Sequence, residues 1–307
     1  MAPSNGMSYR VVQLGKESRA RPINPGYFFV APAILFFAAL AILPTLYVFY
    51  LSFFSSPRGQ VTNRFFVGLQ NYVDALSLSK LAPVVSHTLV FAIGSSLFHL
   101  LFGFLLALYL NSRLNFHFLN AVRALLLLPW AISPAVVSMV WRLLSHPQIS
   151  PIGILLSGLN PEWVWTPLAS TKTALLTLTG INVWHFTPFY MLMILAGLQA
   201  IDPTLYEVAK IDGASAFQEV WYVTIPQVRR LLFTLGLFDF VTTAVYFDLI
   251  WITTHGGPVG SSEVLATFVY RQAFLSFDFG RASAIAMLLF VVAITLSSIG
   301  VMVMERE

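Results

Sequence analysis

The chain has 307 residues, of which 57% are hydrophobic, 15% aromatic and only 10% charged, and it contains no cysteine. Soluble domains carry about 25% charged residues, so this composition excludes an ordinary soluble enzyme, a disordered chain and a disulfide scaffold. The lack of cysteine excludes thiol catalysis and cysteine-ligated zinc. A net charge of +4 over 307 residues is too low a charge density for nucleic-acid binding. It is typical of basic residues that flank membrane spans.

Hydropathy divides the chain into six windows that are long enough to cross a bilayer as helices, since a span needs about 20 mostly apolar residues. Continuous runs of Leu, Phe, Ala and Val favour helices over the alternating strands of a membrane barrel. We therefore predict an all-α polytopic membrane protein with a six-span transmembrane domain over residues 27–304. The predicted spans cover residues 27–52, 84–110, 122–144, 174–199, 229–254 and 282–304.

The segment before the first window, residues 1–26, carries four basic residues and one acid. Basic residues concentrate on the cytoplasmic side of membrane proteins, so we predict a cytoplasmic N-terminal segment. Six spans then return residues 305–307 to the same side. The loop over residues 200–228 is predicted to face the cytoplasm, and the loop over residues 255–281 is predicted to face outward.

Several predicted spans contain proline, which removes a backbone donor and kinks or breaks a helix. Their number either indicates a bundle built around a cavity or reflects the ordinary frequency of proline in membrane helices. The positions are Pro32, Pro44, Pro129, Pro134 and Pro188.

The loop over residues 200–228 is more elaborate than a connector needs, which predicts a docking element for a soluble partner. Pro203 is predicted to begin a short helix whose first turn carries Glu207, a favourable place for an acid because of the helix dipole. Gly213 can adopt the left-handed conformation that ends a helix. A second amphipathic stretch follows, and Pro226 is predicted to end it before the fifth span. Its apolar face consists of Phe217, Val220, Trp221 and Thr224.

The same loop contains the pattern Glu-x-Ala-x-x-Asp-Gly-Ala followed by Ile-Pro, at Glu207, Ala209, Asp212, Gly213, Ala214, Ile225 and Pro226. This pattern resembles the EAA loop of permease subunits of bacterial ABC importers, with Val208 in place of one alanine of the motif. Further segments are similar to the carbohydrate branch of that family, although His255 stands where the branch often has Gly or Asn. These segments are residues 29–33, 66–72, 128–130, 140–142 and 247–258.

The resemblance implies a type I permease with cytoplasmic coupling helices, in the bacterial cytoplasmic (inner) membrane. It also implies a second homologous permease, two cytoplasmic ATPase subunits, an external solute-binding protein and a sugar substrate. The chain has no Gly-x4-Gly-Lys-Ser/Thr loop, so we expect no enzyme activity and no cofactor in this chain, with ATP and Mg bound by the partner ATPase subunits. Coupling to those subunits is assigned by resemblance to Glu207, Ala209, Asp212, Gly213, Ala214 and Pro226.

Polar and aromatic residues repeat at helical spacing in the fourth and fifth spans, which places them on one face of each helix. Intramembrane polar residues usually face the bundle interior. Because these spans are consecutive, we predict that they line a sugar cavity, where polar edges and apolar faces of the solute need both residue types. The alternative is that these residues join helices by hydrogen bonds. The candidates are Asn182, His185, Phe189, Tyr190, Asp239, Thr243 and Tyr246.

Other ionisable residues of the spans bear on an alternative function, a proton-coupled secondary carrier or channel acting alone. The fifth-span acid of the candidate cavity would suit a proton relay, but no second acid or basic residue is predicted at its depth. The same acid argues against an anionic solute and for a neutral sugar. His87 and His99 are interpreted as isolated structural residues. Asp248 is interpreted as a cap, or as a partner of Arg271 or Arg281, and no histidine pair has metal-binding spacing.

Overall fold

The computed structural model describes residues 26–55, 64–111 and 116–305 of the chain. Of these, the residues up to Tyr47 form one compact unit and those from Val48 onward form a second. The basic segment before the first span lies outside the described residues, as do the last two residues of the chain.

The described residues are mostly helical, as the composition predicted. A short antiparallel pair, β1 (Phe54–Ser55) and β2 (Phe65–Phe66), and three π-helical segments, Ala38–Ile42, Glu219–Thr224 and Arg271–Leu275, complete the regular structure of this part. The α-helices are α1 (Gly26–Phe37), α2 (Leu43–Leu51), α3 (Gln70–Ser77), α4 (Leu81–Leu110), α5 (Phe116–Ala131), α6 (Pro134–Leu144), α7 (Pro151–Leu159), α8 (Ala174–Gln199), α9 (Pro203–Ile211), α10 (Ala216–Gln218), α11 (Ile225–Ala244), α12 (Asp248–Thr254), α13 (Leu265–Tyr270) and α14 (Phe279–Glu305).

Candidate membrane spans fall in all six predicted windows, but two of them are not straight helices. Helices long and apolar enough to cross a membrane unbroken cover Phe29–Leu51, Leu81–Leu110, Ala174–Gln199 and Phe279–Met302. The other two windows qualify only when each bent helix pair counts as one span. These pairs are Val122–Ala131 with Pro134–Leu144, and Ala216–Ala244 with Asp248–Thr254.

The third window, predicted as one helix, bends by 91° between α5 and α6. Pro134 is the first residue of α6 and cannot donate a backbone hydrogen bond. Ser133 before it is extended, with φ −58° and ψ 137°, because proline disfavours the helical conformation of the preceding residue. By contrast, Pro32, Pro129 and Pro188 lie inside continuous helices.

The fifth window also bends, by 41° between α11 and α12. The residues that precede the break are rich in β-branched side chains, which lower helix propensity: Val241, Thr242, Thr243 and Val245. The Thr242 hydroxyl also donates to the carbonyl of Phe238 at 2.9 Å, a contact that bends helices. Hydropathy detects neither effect, so the predicted window alone did not reveal this bend.

The centre of the second unit is the close packing of α4 against α8. Gly103 permits this approach, since a Cβ at that position would lie 3.1 Å from the backbone nitrogen of Met191. Small residues are common where membrane helices pack closely. The buried core at this crossing includes Ala107, Met191 and Ile194. The same packing brings the polar faces of α4, α8 and α11 together.

At the start of α14, Gly280 fills a site that has no room for a side chain. The Asn71 amide donates to the carbonyls of Ser52 and Phe54, at 2.8 and 2.9 Å. A Cβ on Gly280 would overlap the Phe54 carbonyl oxygen and the Asn71 amide nitrogen.

We expect Gly280→Ala to destabilise the protein by about 1–3 kcal/mol, the usual range for overpacking, because backbone atoms must move to admit the methyl group. Thermal unfolding of the purified protein measures the loss. Gly180→Ala in α8 is the control, since no atom lies within 4 Å of its built Cβ. Equal unfolding temperatures for the two variants would contradict the assignment.

Candidate functional site

A cavity of about 290 Å³ lies between α5, α8 and α11. Six of the seven residues predicted to line a cavity do line this one: Asn182, Phe189, Tyr190, Asp239, Thr243 and Tyr246. The sequence analysis missed four further lining residues, namely Trp130, Phe186, Phe238 and Thr242. Trp130 comes from α5 and was named only as part of a family motif. The other three lie beside the predicted polar faces of α8 and α11. Assigning them to the cavity required the orientation of these helices in the structure.

The seventh candidate, His185, does not line the cavity. Its side chain is buried, and Nε2 lies 3.0 Å from the carbonyl oxygen of Ile132. That carbonyl belongs to the break between α5 and α6, where helical hydrogen bonds are interrupted. His185 therefore satisfies a backbone group of the bent third span, a partner that the spacing of residues in α8 did not reveal.

Each carboxylate oxygen of Asp239 has a hydrogen-bond partner, and one of these partners corrects the sequence interpretation. His99 Nδ1 lies 2.7 Å from Asp239 Oδ2, and the Thr243 hydroxyl donates to Oδ1 at 2.9 Å. The interpretation of His99 as isolated was therefore wrong, because packing of α4 against α11 joins residues 140 positions apart. The signal available in the sequence was one ionisable residue at membrane depth in each of two spans.

Two polar groups of the cavity wall have no hydrogen-bond partner among the described residues. They are the Asn182 carboxamide, through both its nitrogen and oxygen, and the Tyr246 hydroxyl. Asn182 is 1% exposed, so water satisfies its amide poorly. Aromatic rings surround these groups, with Phe186 and Tyr246 in edge contact at 5.6 Å and Trp130 tilted against Phe189 at 5.6 Å. The cavity wall thus contains buried, unpartnered hydrogen-bonding groups next to ring surfaces.

The loop between α8 and α11 has the predicted helix–glycine–helix order. Asp202 caps α9 by accepting from the Thr204 backbone N–H at 2.9 Å, and this hydrogen bond holds the pKa of the Asp202 carboxyl below its ordinary value. Gly213 has φ +77°, the left-handed conformation. The Gly213 N–H donates to Lys210 and the Ala214 N–H donates to Ala209, which is the Schellman pattern that ends a helix.

Two details of this loop differ from the prediction. Glu207 lies beyond the first turn of α9, so the acid at the positive helix end is the cap, Asp202. Pro226 does not end the second helix, which runs continuously over Ala216–Ala244. Proline is tolerated there because the preceding π-helical segment, Glu219–Thr224, already departs from regular α-helical hydrogen bonding.

The loop exposes most of the residues that the family resemblance singled out. Glu207, Asp212, Gly213 and Pro226 are exposed, whereas Ala209 and Ala214 are half-buried. Large apolar side chains accompany them: Ile211 is 85% exposed and Phe217 75% exposed. Large apolar side chains exposed outside the candidate spans are typical of interaction sites.

At the start of α12, Asp248 does not pair with either of the arginines that the sequence analysis suggested as partners. Arg271 pairs with Glu263 at 2.6 Å, and Arg281 pairs with Asp278 at 3.4 Å. Asp248 instead is the first residue of α12, where the helix dipole favours an acid.

The segment after α12 is joined to the bundle by several hydrogen bonds. His255 has φ +53°, a left-handed conformation that Gly and Asn favour. Its carbonyl accepts from Arg271 at 2.6 Å. His87 Nδ1 lies 3.2 Å from the Glu263 carbonyl, so His87 is not isolated either.

Within residues 26–55, 64–111 and 116–305, no group of three or more His, Cys, Asp or Glu side chains could hold a metal ion.

Comparison with known proteins gives a consistent result. The family described as "Binding-protein-dependent transport system inner membrane component" matches residues 99–304. The chain is 33% identical to the probable ABC transporter permease protein y4oQ of Sinorhizobium fredii, over 94% of this chain and 92% of that protein. It is 30% identical to the trehalose/maltose transport system permease protein MalF of Thermococcus litoralis, over 92% of this chain and 94% of that protein.

A solved structure supports the same assignment at the level of the fold. A chain of a bacterial ABC transporter involved in the import of the acidic polysaccharide alginate superposes with a TM-score of 0.80 at 22% identity. The match covers 91% of this chain and 94% of that chain.

Proposed function

Because the chain belongs to the family of binding-protein-dependent transport system inner membrane components, we propose that its cavity carries a neutral sugar through an ATP-driven importer. The structural likeness confirms the predicted ABC importer permease fold. The chain is a transport component, and family membership decides against a secondary carrier acting alone.

The observation that carries the sugar proposal is the pair of unpartnered polar groups, the Asn182 amide and the Tyr246 hydroxyl, beside aromatic rings. A buried polar group without a partner is costly, so a ligand that supplies hydrogen bonds is favoured there. A sugar does so with its hydroxyl groups, and its apolar face packs on rings such as Trp130. The volume of about 290 Å³ is near the lower end of small-molecule pockets and suits one or two sugar units.

The named relatives are compatible with a sugar but do not agree on its charge. One is named for trehalose and maltose, whereas the alginate transporter imports an acidic polysaccharide. Among the described residues that line the cavity, one is an acid, Asp239, and none is a Lys or Arg that could pair with an acidic solute. The proposal therefore follows the neutral relatives.

Coupling to ATP hydrolysis is proposed to run through the loop that contains Glu207 and Gly213. The exposed apolar residues Ile211 and Phe217 would fit a cleft on a cytoplasmic ATPase subunit that binds ATP and Mg. In this proposal the loop lies on the cytoplasmic side of the bacterial inner membrane, together with both chain termini. The segment after α12 would then face the external solute-binding protein, and the second permease would complete the pathway.

Co-purification and reconstitution test this function. A tagged chain should bring down an ATPase subunit and a second six-span permease from its native membranes. In proteoliposomes, uptake of radiolabelled maltose should require ATP, the assembled complex and the binding protein. Uptake by this chain alone, without ATP, would contradict the proposal.

A further inference from the structure

His99 lies directly behind the cavity wall and contacts four of the residues that form it: Asn182, Phe186, Tyr190 and Asp239. It is 0% exposed and projects from α4. Nδ1 lies 2.7 Å from Asp239 Oδ2, and Nε2 lies 3.1 Å from the backbone carbonyl oxygen of Asn182. The Tyr190 ring stacks on the imidazole with centroids 5.0 Å apart and planes 15° apart. His99 itself does not line the cavity.

The partners of His99 determine its protonation. Both ring nitrogens face oxygen atoms that accept hydrogen bonds, a carboxylate and a carbonyl. A neutral imidazole has only one N–H, so it would fit both contacts only if Asp239 were the protonated partner. The 2.7 Å distance between Nδ1 and Oδ2 is typical of a charge-assisted hydrogen bond, which favours the ionised carboxylate, and the Thr243 hydroxyl donates to the other oxygen. The stacked Tyr190 ring also favours a cation on its face.

We propose that His99 is a positioning residue held as an imidazolium, which neutralises Asp239 and fixes it and the Asn182 backbone at the cavity wall. The pair carries no net charge, so the wall presents oriented hydrogen-bonding groups without an electrostatic preference for a charged solute. His99 thereby prevents the Asp239 carboxylate from attracting cationic sugars, and this role rests on the proposed transport function.

Solid-state NMR of protein labelled with nitrogen-15 histidine tests the charge state without any transport assay. His99→Gln assigns the signal among the six histidines of the chain. At about pH 7.5, we expect the His99 signal to show protons on both ring nitrogens. Asp239→Asn should change that signal, because the acceptor of Nδ1 is lost. A wild-type His99 with one bare ring nitrogen would overturn the proposal.

The selectivity is tested with glucose, glucosamine and glucuronate, whose binding to the purified complex is measured by saturation-transfer NMR. These sugars are similar in size and differ in charge. His99→Gln leaves the Asp239 carboxylate uncompensated, so the affinity ratio of glucosamine to glucose should rise about tenfold. The double variant His99→Gln/Asp239→Asn removes both charges and should restore the wild-type ratio.

The control is His87→Gln, which changes the other histidine of α4, whose ring contacts the Glu263 carbonyl away from the cavity. It should leave all three affinities unchanged. If His99 were merely structural, His99→Gln would weaken binding of the three sugars equally, and that result would overturn the selectivity role. Failure of the wild-type complex to bind any of them would instead contradict the proposed function, while the NMR signal still decides the charge of His99.

Discussion

Gly213→Val is expected to reduce ATP-driven uptake at least tenfold while leaving insertion and assembly intact. Gly213 has φ +77°, and a β-branched residue in this region is a conformational outlier. The left-handed conformation costs an L-residue about 1–2 kcal/mol, so the Schellman end of α9 would open and the loop would change shape. No atom lies within 4 Å of the built Cβ, which excludes a clash as the cause. Uptake per ATP hydrolysed in proteoliposomes measures the effect.

The matched control for this variant is Gly68→Val. Gly68 has φ +57° and likewise has no atom within 4 Å of its built Cβ, so valine introduces comparable backbone strain far from the loop. Uptake per ATP should stay near the wild-type value in this control. If both variants lose uptake to the same extent, general destabilisation explains the loss and the coupling role of Gly213 is contradicted.

Tyr246→Phe and Asn182→Leu are expected to separate transport from stability. The polar atoms that they remove have no partner among the described residues, so the folded protein loses no hydrogen bond. Removing such a buried group is neutral or stabilising by about 1–3 kcal/mol. A sugar would lose its hydrogen bond, and we expect sugar-stimulated ATPase activity to fall at least about tenfold. The unfolding temperature and the stimulated rate are measured on the same reconstituted complex.

Ser95→Ala provides the comparison for the cavity variants. The Ser95 hydroxyl is also buried and without a partner in the described part of the chain, but it lies outside the cavity lining. This variant should match the others in stability and keep full sugar stimulation. If Tyr246→Phe and Asn182→Leu unfold earlier than the wild type and keep their stimulation, these residues join helices and do not contact a solute.

The sequence predicted the features that depend on neighbouring residues. Helical windows follow from runs of apolar residues, and the cavity faces follow from spacing within α8 and within α11. The left-handed Gly213 could likewise be read from local chemistry. Each of these rests on interactions that span only a few turns of one helix.

The features that the sequence did not reveal depend on packing between distant elements. His99 and Asp239 meet only because α4 packs against α11. His185 was placed on the correct helix. The Ile132 carbonyl that it contacts lacks a helical hydrogen bond because the third span breaks at Pro134. Asp248 was interpreted as a cap or as a partner of Arg271 or Arg281. These arginines pair instead with acids that are nearer in the sequence, Glu263 and Asp278.

The continuous helix over Ala216–Ala244 forms a single rod that joins the exposed loop after α8 to the cavity. Phe217 lies at one end and Asp239 near the other, about 33 Å apart at the rise of an α-helix. Tyr246 lies in the break that follows the rod, at the 41° bend, and does not belong to the rod. Under the proposed function, a partner that tilts Phe217 would therefore move the cavity wall that contains Asp239 relative to Tyr246. Gripping and releasing a solute would then require only a tilt of this helix, without any change within it.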